Sequence, residues 1–310
     1  MKYEDFDYDA YFNEACVGHE TRKDLQEKIQ KQFRIIETLT ARFNNALKEE
    51  SHVELIFVRG SSISPQSSSN LGHIIRLPAQ FVIEYYNFFD SCFGVQTHDS
   101  TNQRCRRVSV ALMHALSHEL SHSSKGHNVV TSGAGLNEDQ TSLASETDAD
   151  FSAGMMSFLF FYNSTQEDEL HELLSLRNNA APLLTFTKDS GYAAVMLAFF
   201  IHCRSKGEVA NYHSANIRFN LISAGILFAI LNKDPSLAKF LTSGIEEAIQ
   251  SLSNLESAEH RAQAKDFLEG NRDEFSSVIT STSVNVDKLR TTWEESSDIF
   301  KIATKYMGKQ

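Results

Sequence analysis

Residues 104–123, RCRRVSVALMHALSHELSHS, form a long helical stretch in the middle of the chain. The stretch contains neither proline nor glycine, so nothing in it interrupts a helix. It is followed by Lys125-Gly126, a basic residue and then glycine, which is typical of helix C-termini. Small side chains such as Ala111 and Ala115 would let this helix pack closely. We therefore predict one long, closely packed helix over 104–123.

Upstream of this helix, the sequence predicts a small sheet between two further helices. Apolar residues recur at three- and four-residue steps over 21–48, which indicates an amphipathic helix. Residues 53–58 (VELIFV) and 72–77 (GHIIRL) have the patterns of two short strands. A serine-rich loop over 60–70 separates these strands, and a helix is predicted over 79–89.

Downstream of residue 123 the pattern is helical almost throughout. A glycine- and serine-rich loop over 128–139 precedes a helix predicted over 142–161. Two apolar runs, 193–201 and 221–231, are expected to be buried core helices. Two later segments, 258–268 and 286–306, are predicted to be amphipathic helices. The predicted fold class is therefore mainly α with a small β-sheet (α+β).

We place the boundary between two parts of the chain near residue 163. The N-terminal region, 1–163, would hold the small sheet and the two helices that carry the candidate site. The C-terminal region, 164–310, would be helical and packed on the same core. At 310 residues the chain has room for one large domain or two modest ones.

The charge balance limits the classes of partner expected for this chain. It has a formal net charge of −11 and a sequence pI of about 5.5. Nucleic-acid phosphates are bound by basic surfaces, so no nucleic-acid partner is expected. The only compact basic run is Arg104, Arg106 and Arg107, and it is expected on a solvated helix face.

Targeting and redox features favour a cytoplasmic protein. The first residues are acidic and lack the apolar segment of a secretory signal. The most apolar runs fall short of the ~20 residues that a bilayer span needs, so no membrane association is expected. Four cysteines occur without a CxxC pair, which favours reduced thiols over a disulfide framework.

The segment His118-Glu119-Leu120-Ser121-His122 has the spacing of a catalytic zinc site. On a helix, His118 and His122 lie on one face with Cβ atoms about 5–6 Å apart, within reach of one tetrahedral zinc ion. Glu119 projects beside them, where it would accept the proton of a zinc-activated water without binding the metal. The alternative is a surface helix with incidental histidines.

A catalytic zinc ion needs a third protein ligand, and Glu146 is the best candidate. It lies in SETDAD (145–150), near the start of an otherwise apolar helix. Asp150 is four positions further on the same face, where it would accept the Nδ1 proton of a ligating histidine, His118. The alternative is that these acids only stabilise a helix N-terminus.

Three other side chains compete for a place at the metal. His114 shares the face of His118 and is expected to be packed or behind the ligands. His127 lies five residues past His122, whereas the metzincin pattern requires a third histidine six residues past it, where Asn128 stands. The metzincin interpretation is therefore rejected. Asp148 is a weaker alternative ligand.

His118-Glu119-x-x-His122 followed by Glu146-x-x-x-Asp150 resembles the gluzincin class of HExxH metallopeptidases. Two compact groups are similar: the HtpX-like and CAAX-protease-like peptidases, and the soluble phage-exclusion Lit-type peptidases. The apolar runs are too short for the membrane-embedded first group, so the second fits better. The resemblance covers roughly residues 72–218, and it implies a compact zincin-like core and a cytosolic protein substrate.

The segment YHSANIR (212–218) resembles a histidine-proline segment followed by arginine in such peptidases, with serine in place of proline. The resemblance implies that His213 donates a hydrogen bond to the oxyanion of a tetrahedral intermediate. It also implies that Arg218 holds an acidic ligand in place. The alternative is a histidine at a helix N-terminus and a surface arginine.

The expected function is that of a zinc-dependent endopeptidase acting on a protein or peptide. Strand 72–77 is expected to form the sheet edge beside the cleft, where an extended substrate would add as a strand. The loop over 128–139 would be a mobile rim. Alternatives are another metal-assisted hydrolysis, a non-catalytic or regulatory helical protein with a structural zinc site whose fourth ligand is His114 or His127, and a helical interaction protein without metal.

Overall fold

The computed structural model describes the chain in ten segments, which are mainly helical and include one small sheet. They are residues 2–4, 22–47, 49–58, 65–68, 73–93, 101–128, 130, 135–204, 213–269 and 272–296. The predicted class, mainly α with a small β-sheet, is confirmed. Much of the rim loop over 128–139 lies outside the described residues, as do residues 297–306 at the end of the last predicted helix.

The helices of the described residues fall in chain order on both sides of the HELSH motif. They are Arg22–Asn45 (α1), Ala79–Phe93 (α2), Thr101–Lys125 (α3), Glu138–Tyr162 (α4), Glu169–Leu173 (α5), Pro182–Arg204 (α6), Ala215–Lys233 (α7), Ala238–Ser253 (α8), Ala258–Glu269 (α9) and Arg272–Ser296 (α10). Short 3-10 turns lie at Glu49–Ser51 and Pro235–Leu237.

Two helix starts differ from the sequence prediction. Helix α4 begins at Glu138 instead of 142, because Asn137 and Gln140 form a reciprocal capping box ahead of the apolar residues. Helix α10 begins at Arg272 instead of 286. Its first half is rich in serine and threonine, which dilutes the apolar periodicity that the prediction used.

The sheet has four short strands: Lys2–Glu4 (β1), Val53–Val58 (β2), Gln66–Ser68 (β3) and His73–Pro78 (β4). Their order is β1-β2-β4-β3. Strand β2 pairs in parallel with β1 and β4, and β3 pairs antiparallel with β4, with Ser67 opposite Ile75.

Strand β3 corrects the prediction that residues 72–77 form the edge of the sheet. Residues 66–68 lie in the predicted loop over 60–70, yet they cover the outer side of β4. Their sequence, Gln-Ser-Ser, carries no apolar alternation, and the strand is recognised from its backbone pairing with β4. Short polar strands of this kind are common at sheet edges.

One hydrophobic core contains residues from both sides of the predicted boundary near residue 163. It includes Phe33 from α1, Phe57 from β2, Leu116 from α3 and Phe158 from α4. Helices α6 and α8 extend it, and α6 is buried over residues 193–200 as the sequence predicts. The division into 1–163 and 164–310 stays a prediction.

Helix α7 is buried on one side only, which corrects the prediction that 221–231 is a fully buried core helix. Ile222, Ile226 and Ile230 face the core, whereas Phe228 and Leu231 are 52% and 54% exposed. Among the described residues, α7 is the one helix long and apolar enough to cross a membrane, and 44% of its apolar window is buried. The sequence gives no period that separates its two faces, since both are apolar.

The prediction that the basic run ahead of the motif lies on a solvated helix face is also corrected. Arg106 and Arg107 are 8% and 2% exposed, and both contact the carboxylate of Asp189. The Arg107 guanidinium also lies 3.7 Å from the centre of the Tyr192 ring. Because a buried charge requires a partner, Asp189 on α6 decides that these arginines are internal.

Helices α4 and α7 approach so closely that glycine is required on both. A Cβ atom built on Gly154 would lie 1.9 Å from the carbonyl oxygen of Ile222, and one on Gly225 would lie 1.8 Å from that of Phe151. Both contacts are with backbone atoms, which cannot move away by a change of side-chain rotamer. The crossing therefore fixes the separation of the helices that carry Glu146 and Arg218.

Gly225→Ala should lower the free energy of unfolding by about 1–3 kcal/mol, because the added methyl group forces α4 and α7 apart. Urea denaturation followed by circular dichroism measures this change. Ala224→Ser, on the exposed side of the same turn, is the matched control and should stay within about 0.5 kcal/mol of the wild type. Equal effects of the two substitutions would contradict the tight crossing.

Candidate metal centre

Helix α3 carries two histidines that point at the same carboxylate on α4. The Nε2 atoms of His118 and His122 lie 3.1 Å apart. Each lies 3.3 Å from one oxygen of Glu146, His118 from Oε2 and His122 from Oε1. All three residues are 8% exposed. The three candidate ligands of the sequence analysis are therefore brought together in one buried cluster.

These separations fit a bound cation. Two ligands of a tetrahedral zinc ion at about 2.0–2.1 Å are themselves about 3.3–3.4 Å apart, and the observed separations are 3.1–3.3 Å. Glu146 Oε2 is buried and has no aligned hydrogen-bond donor, although His118 is near. A buried oxygen without a donor is costly unless a cation satisfies it. His118, His122 and Glu146 could thus hold a metal ion.

Asp150 lies on the other side of the His118 ring, one turn after Glu146 on α4. Its Oδ1 is 2.9 Å from His118 Nδ1, although the ring N–H is not aligned with that oxygen. Arg218 of α7 donates two hydrogen bonds of 2.9 Å to Asp150, and its guanidinium is 3.9 Å from Glu146 Oε2. Asp150, held by Arg218, therefore contacts the edge of the His118 ring that faces away from Glu146.

These contacts shift the pKa values of the cluster. Burial lowers the pKa of His118, but Asp150 and then Glu146 outweigh it and raise that pKa to about 10. Burial raises the pKa of Glu146, but the neighbouring imidazoles of His118 and His122 outweigh it and hold that pKa far below its usual range. Burial likewise opposes ionisation of Asp150, and the Arg218 charge lowers its pKa. Without a metal ion, the cluster thus favours an imidazolium between carboxylates.

His127 lies behind His122 and does not join the three ligand atoms. Its Nδ1 is 3.1 Å from Nδ1 of His122, and its Nε2 is 3.1 Å from Oδ2 of Asp148. His122 presents the opposite nitrogen, Nε2, to Glu146. Burial, only partly offset by Asp148, lowers the pKa of His127 to about 4. A neutral His127 therefore contacts His122 from the side opposite Glu146.

Asp148, the weaker candidate ligand, is also turned away from the cluster. It accepts a hydrogen bond of 2.7 Å from Lys125 Nζ, which also contacts Ser152 Oγ at 2.6 Å. Burial opposes ionisation of Asp148, but Lys125 and His127 outweigh it and lower its pKa. Its partners are His127 and Lys125, so it lies outside the ligand set.

His114, which is expected from the sequence to be packed or behind the ligands, lies in the core. Its Nδ1 lies 2.7 Å from Ser157 Oγ and its Nε2 3.3 Å from the carbonyl oxygen of Ser190. It is fully buried, and both ring nitrogens are directed to helices α4 and α6. It is therefore a hydrogen-bonded core residue and contributes no atom to the metal centre.

Glu119 lies beside the cluster on α3 and is 8% exposed. Among the described residues, no hydrogen bond or ion pair engages its carboxylate. A buried carboxylate without a donor is available to a water or a substrate.

His213 precedes α7 and is directed toward α4. Its Nε2 lies 2.6 Å from Thr147 Oγ1, and that hydroxyl also lies 2.8 Å from the carbonyl oxygen of Leu143. Burial lowers the pKa of His213 below its usual value, and the nearby negative charges of Asp150 and Glu146 offset this only in part. In the described part of the chain, Nδ1 of His213 has no hydrogen-bond partner.

Two further contacts at this site are not predicted by any sequence pattern. Trp293 of α10 lies with its ring centre 4.4 Å from that of His127. Asn128 donates a hydrogen bond of 3.0 Å to Ser67 Oγ, which ties the end of the motif helix to β3. Trp293 is the single tryptophan of the chain, but it lies far along the sequence from the motif and no spacing connects the two.

Comparisons with known proteins identify no relative. No protein family model, curated protein or solved structure matches this chain.

The His114 ring should make the folded state sensitive to acid. Burial lowers its pKa from 6.5 to about 4, so the unfolded chain takes up a proton first as the pH falls. Its contribution to stability is complete above pH 6.5 and declines toward pH 4, by at most about 1.4 kcal/mol per pH unit. His114→Gln should flatten this part of the pH dependence, measured by urea denaturation in the presence of a chelator.

Met113→Leu is a suitable comparison for His114→Gln. Met113 is fully buried next to His114, so its substitution perturbs packing but removes no titrating group. Its stability curve should run parallel to that of the wild type between pH 6.5 and 4. A slope for His114→Gln that equals the slope for Met113→Leu would show that the pKa of His114 does not differ between the folded and unfolded states.

Proposed function

We propose that this protein is a zinc-dependent endopeptidase of the gluzincin type, with a compact zincin-like core. His118, His122 and Glu146 are its metal ligands, and Glu119 is its general base. The observation that carries the proposal is that the Nε2 atoms of His118 and His122 lie 3.1 Å apart and each lies 3.3 Å from one oxygen of Glu146. On the same helix, no described residue pairs with the carboxylate of Glu119. The likeness to the soluble phage-exclusion Lit-type peptidases rests on the motif residues alone.

The number of ligands supports catalysis over a structural role. Three protein ligands leave one of the four positions of tetrahedral zinc open, as catalytic sites require. The two histidines that would close the site have other partners, since His114 bonds to Ser157 and His127 meets the back of His122. A non-catalytic protein with a structural zinc site would need a fourth ligand from elsewhere in the chain.

A zinc ion held by these residues supplies a Lewis acid that polarises a carbonyl group and acidifies water. Glu119 accepts the proton of the attacking water and then delivers it to the leaving amine. Asp150, held by Arg218, lies 2.9 Å from Nδ1 of His118, so Nε2 is the ring nitrogen that faces Glu146. The positive charge of Arg218 also offsets the two carboxylates that burial brings together.

His213 is proposed to stabilise the oxyanion of the tetrahedral intermediate through Nδ1. Its Nε2 is engaged by Thr147, so Nδ1 is the ring atom left for a substrate. Because the Thr147 hydroxyl donates to the carbonyl oxygen of Leu143, it accepts from Nε2 of His213, and Nδ1 donates to the oxyanion when the ring is protonated during the reaction. An oxyanion donor of this kind contributes about 10²–10³ in kcat.

A protein or peptide is the proposed substrate, and β3 is the proposed docking strand. Its antiparallel partner β4 occupies one side, and no strand of the described residues pairs with the other side. Asn128 ties β3 to the end of α3, so an extended peptide added to β3 would run beside the motif helix. Proteins with a cytosolic location remain the proposed targets.

Removal of a ligand should abolish metal binding without unfolding the protein. Purified wild type should contain one zinc ion per chain, and His122→Ala should contain none while it retains its helical circular dichroism. Elemental analysis and calorimetric titration with zinc measure this. His52→Ala removes an exposed histidine outside the cluster and should bind zinc as the wild type does.

Glu119→Gln should leave zinc bound and reduce peptide hydrolysis by at least about 10²-fold, because the amide cannot accept a proton. A peptide library assayed by mass spectrometry measures the hydrolysis. Asp139→Asn, an exposed acid in the first turn of α4, is the control and should retain full activity. Full activity of Glu119→Gln would refute the proposed mechanism.

A separate outcome would favour the structural alternative. If chelation of zinc unfolds the wild type, the ion holds the fold together and the site is closed. If chelation leaves the fold intact and zinc restores hydrolysis, the open catalytic site is supported. Circular dichroism before and after chelation distinguishes the two.

A further inference from the structure

A second buried network meets the metal centre at the back of His122. We propose that His127 is a positioning residue that fixes the His122 imidazole for metal binding through an Nδ1–Nδ1 hydrogen bond. The inference rests on the proposed function, because it requires His122 to bind the metal through Nε2. The network consists of His127, Asp148 and Lys125, and Trp293 of α10 packs against it.

The partners of each ring nitrogen determine the direction of the hydrogen bonds. His122 presents Nε2 to Glu146, so its proton is on Nδ1 when a metal ion is bound. The atom 3.1 Å from that proton donor is Nδ1 of His127, which therefore accepts. Nε2 of His127 then carries the proton and donates to Asp148 Oδ2 at 3.1 Å. The chain thus runs from His122 through His127 to a carboxylate.

Asp148 anchors the far end of this chain. Lys125 donates to it at 2.7 Å and is itself held by Ser152 at 2.6 Å. Lys125 closes α3 and Asp148 lies on α4, so the same two helices carry the metal ligands and this anchor. A fixed carboxylate keeps the Nε2–H tautomer of His127, which is the one that leaves Nδ1 free to accept.

The backbone turn after α3 brings His127 into place. Gly126 has a φ of 80°, a left-handed conformation that ends the helix and that glycine adopts without strain. The turn directs His127 back toward the last turn of α3, where His122 lies. The Lys125-Gly126 signal that stops the helix therefore also creates the contact.

Trp293 packs against the buried His127 ring. The indole is 3% exposed and its ring centre is 4.4 Å from that of His127. It belongs to a small hydrophobic cluster that is separate from the main core and joins α10 to the start of α4, with members Val130, Leu136, Ala144, Val286, Leu289 and Trp293. Helix α10 thus stabilises the side of the metal centre opposite Arg218.

The two histidine ligands are therefore supported in different ways. His118 meets a carboxylate, Asp150, whose charge is balanced by Arg218. His122 meets a second imidazole, and the carboxylate lies one residue further away. Loss of either partner leaves the ring free to rotate, so metal affinity should fall by about 10–100-fold.

The decisive experiment compares two substitutions of the same residue. His127→Phe keeps a buried ring but removes both hydrogen bonds, so the zinc dissociation constant should rise by about 10–100-fold. His127→Asn carries an amide oxygen near the position of Nδ1 and can still accept from His122, so its affinity should stay within about threefold of the wild type. Competition with a chromophoric chelator measures zinc affinity without any activity assay.

Two further variants separate positioning from loss of stability. His114→Gln disturbs another buried, hydrogen-bonded histidine of α3 and should leave zinc affinity unchanged. Asp148→Asn should weaken zinc binding in the same direction as His127→Phe, because the amide can donate and no longer fixes the tautomer. Thermal unfolding in chelator reports the stability of each variant independently of the metal.

The outcomes distinguish this inference from the proposed function. Equal zinc affinity of wild type and His127→Phe would overturn the inference and leave the metal site standing. Equal weakening by Phe and Asn would also overturn it, since the acceptor would then not matter. A wild type that binds no zinc would overturn both.

Discussion

The convergence of His118, His122 and Glu146 in a buried space is the constraint on which the rest of the structure depends. Burial raises the free energy of each charged group, so every one of them needs a compensating partner. Two helices provide the cluster itself, and the partners come from α7 and from the turn after α3. Without a cation, the balance is met by a protonated His118 between two carboxylates, with Arg218 behind them.

The close crossing of α4 and α7 makes this compensation possible. Because Gly154 and Gly225 remove the side chains at the crossing, Arg218 reaches Asp150 with both arms of its guanidinium. The same principle recurs between α6 and α8, where Cβ atoms on Gly191 and Gly244 would lie 2.4 Å and 1.9 Å from backbone oxygens. Close helix packing, rather than long loops, therefore holds the site.

Local patterns predicted the elements well where one face of the segment differs from the other. The helix over 104–123 and strand 53–58 follow from periodicity and from the absence of breakers. Strand β3 was missed because its polar residues carry no pattern and its register is set by β4. The exposed face of α7 was missed because both of its faces are apolar, and the burial of Arg107 because its partner Asp189 is distant in sequence.

At the candidate site, sequence spacing by itself determined which groups share a helix face: His118 with His122, and Glu146 with Asp150. This follows because helix geometry is local and depends only on the separation along the chain. Only the tertiary structure decided that the two faces meet, that Asp148 and His127 lie behind the ligands, and that Trp293 reaches His127. Those contacts depend on how the helices pack, and packing is set by side chains distant in sequence, which no local pattern encodes.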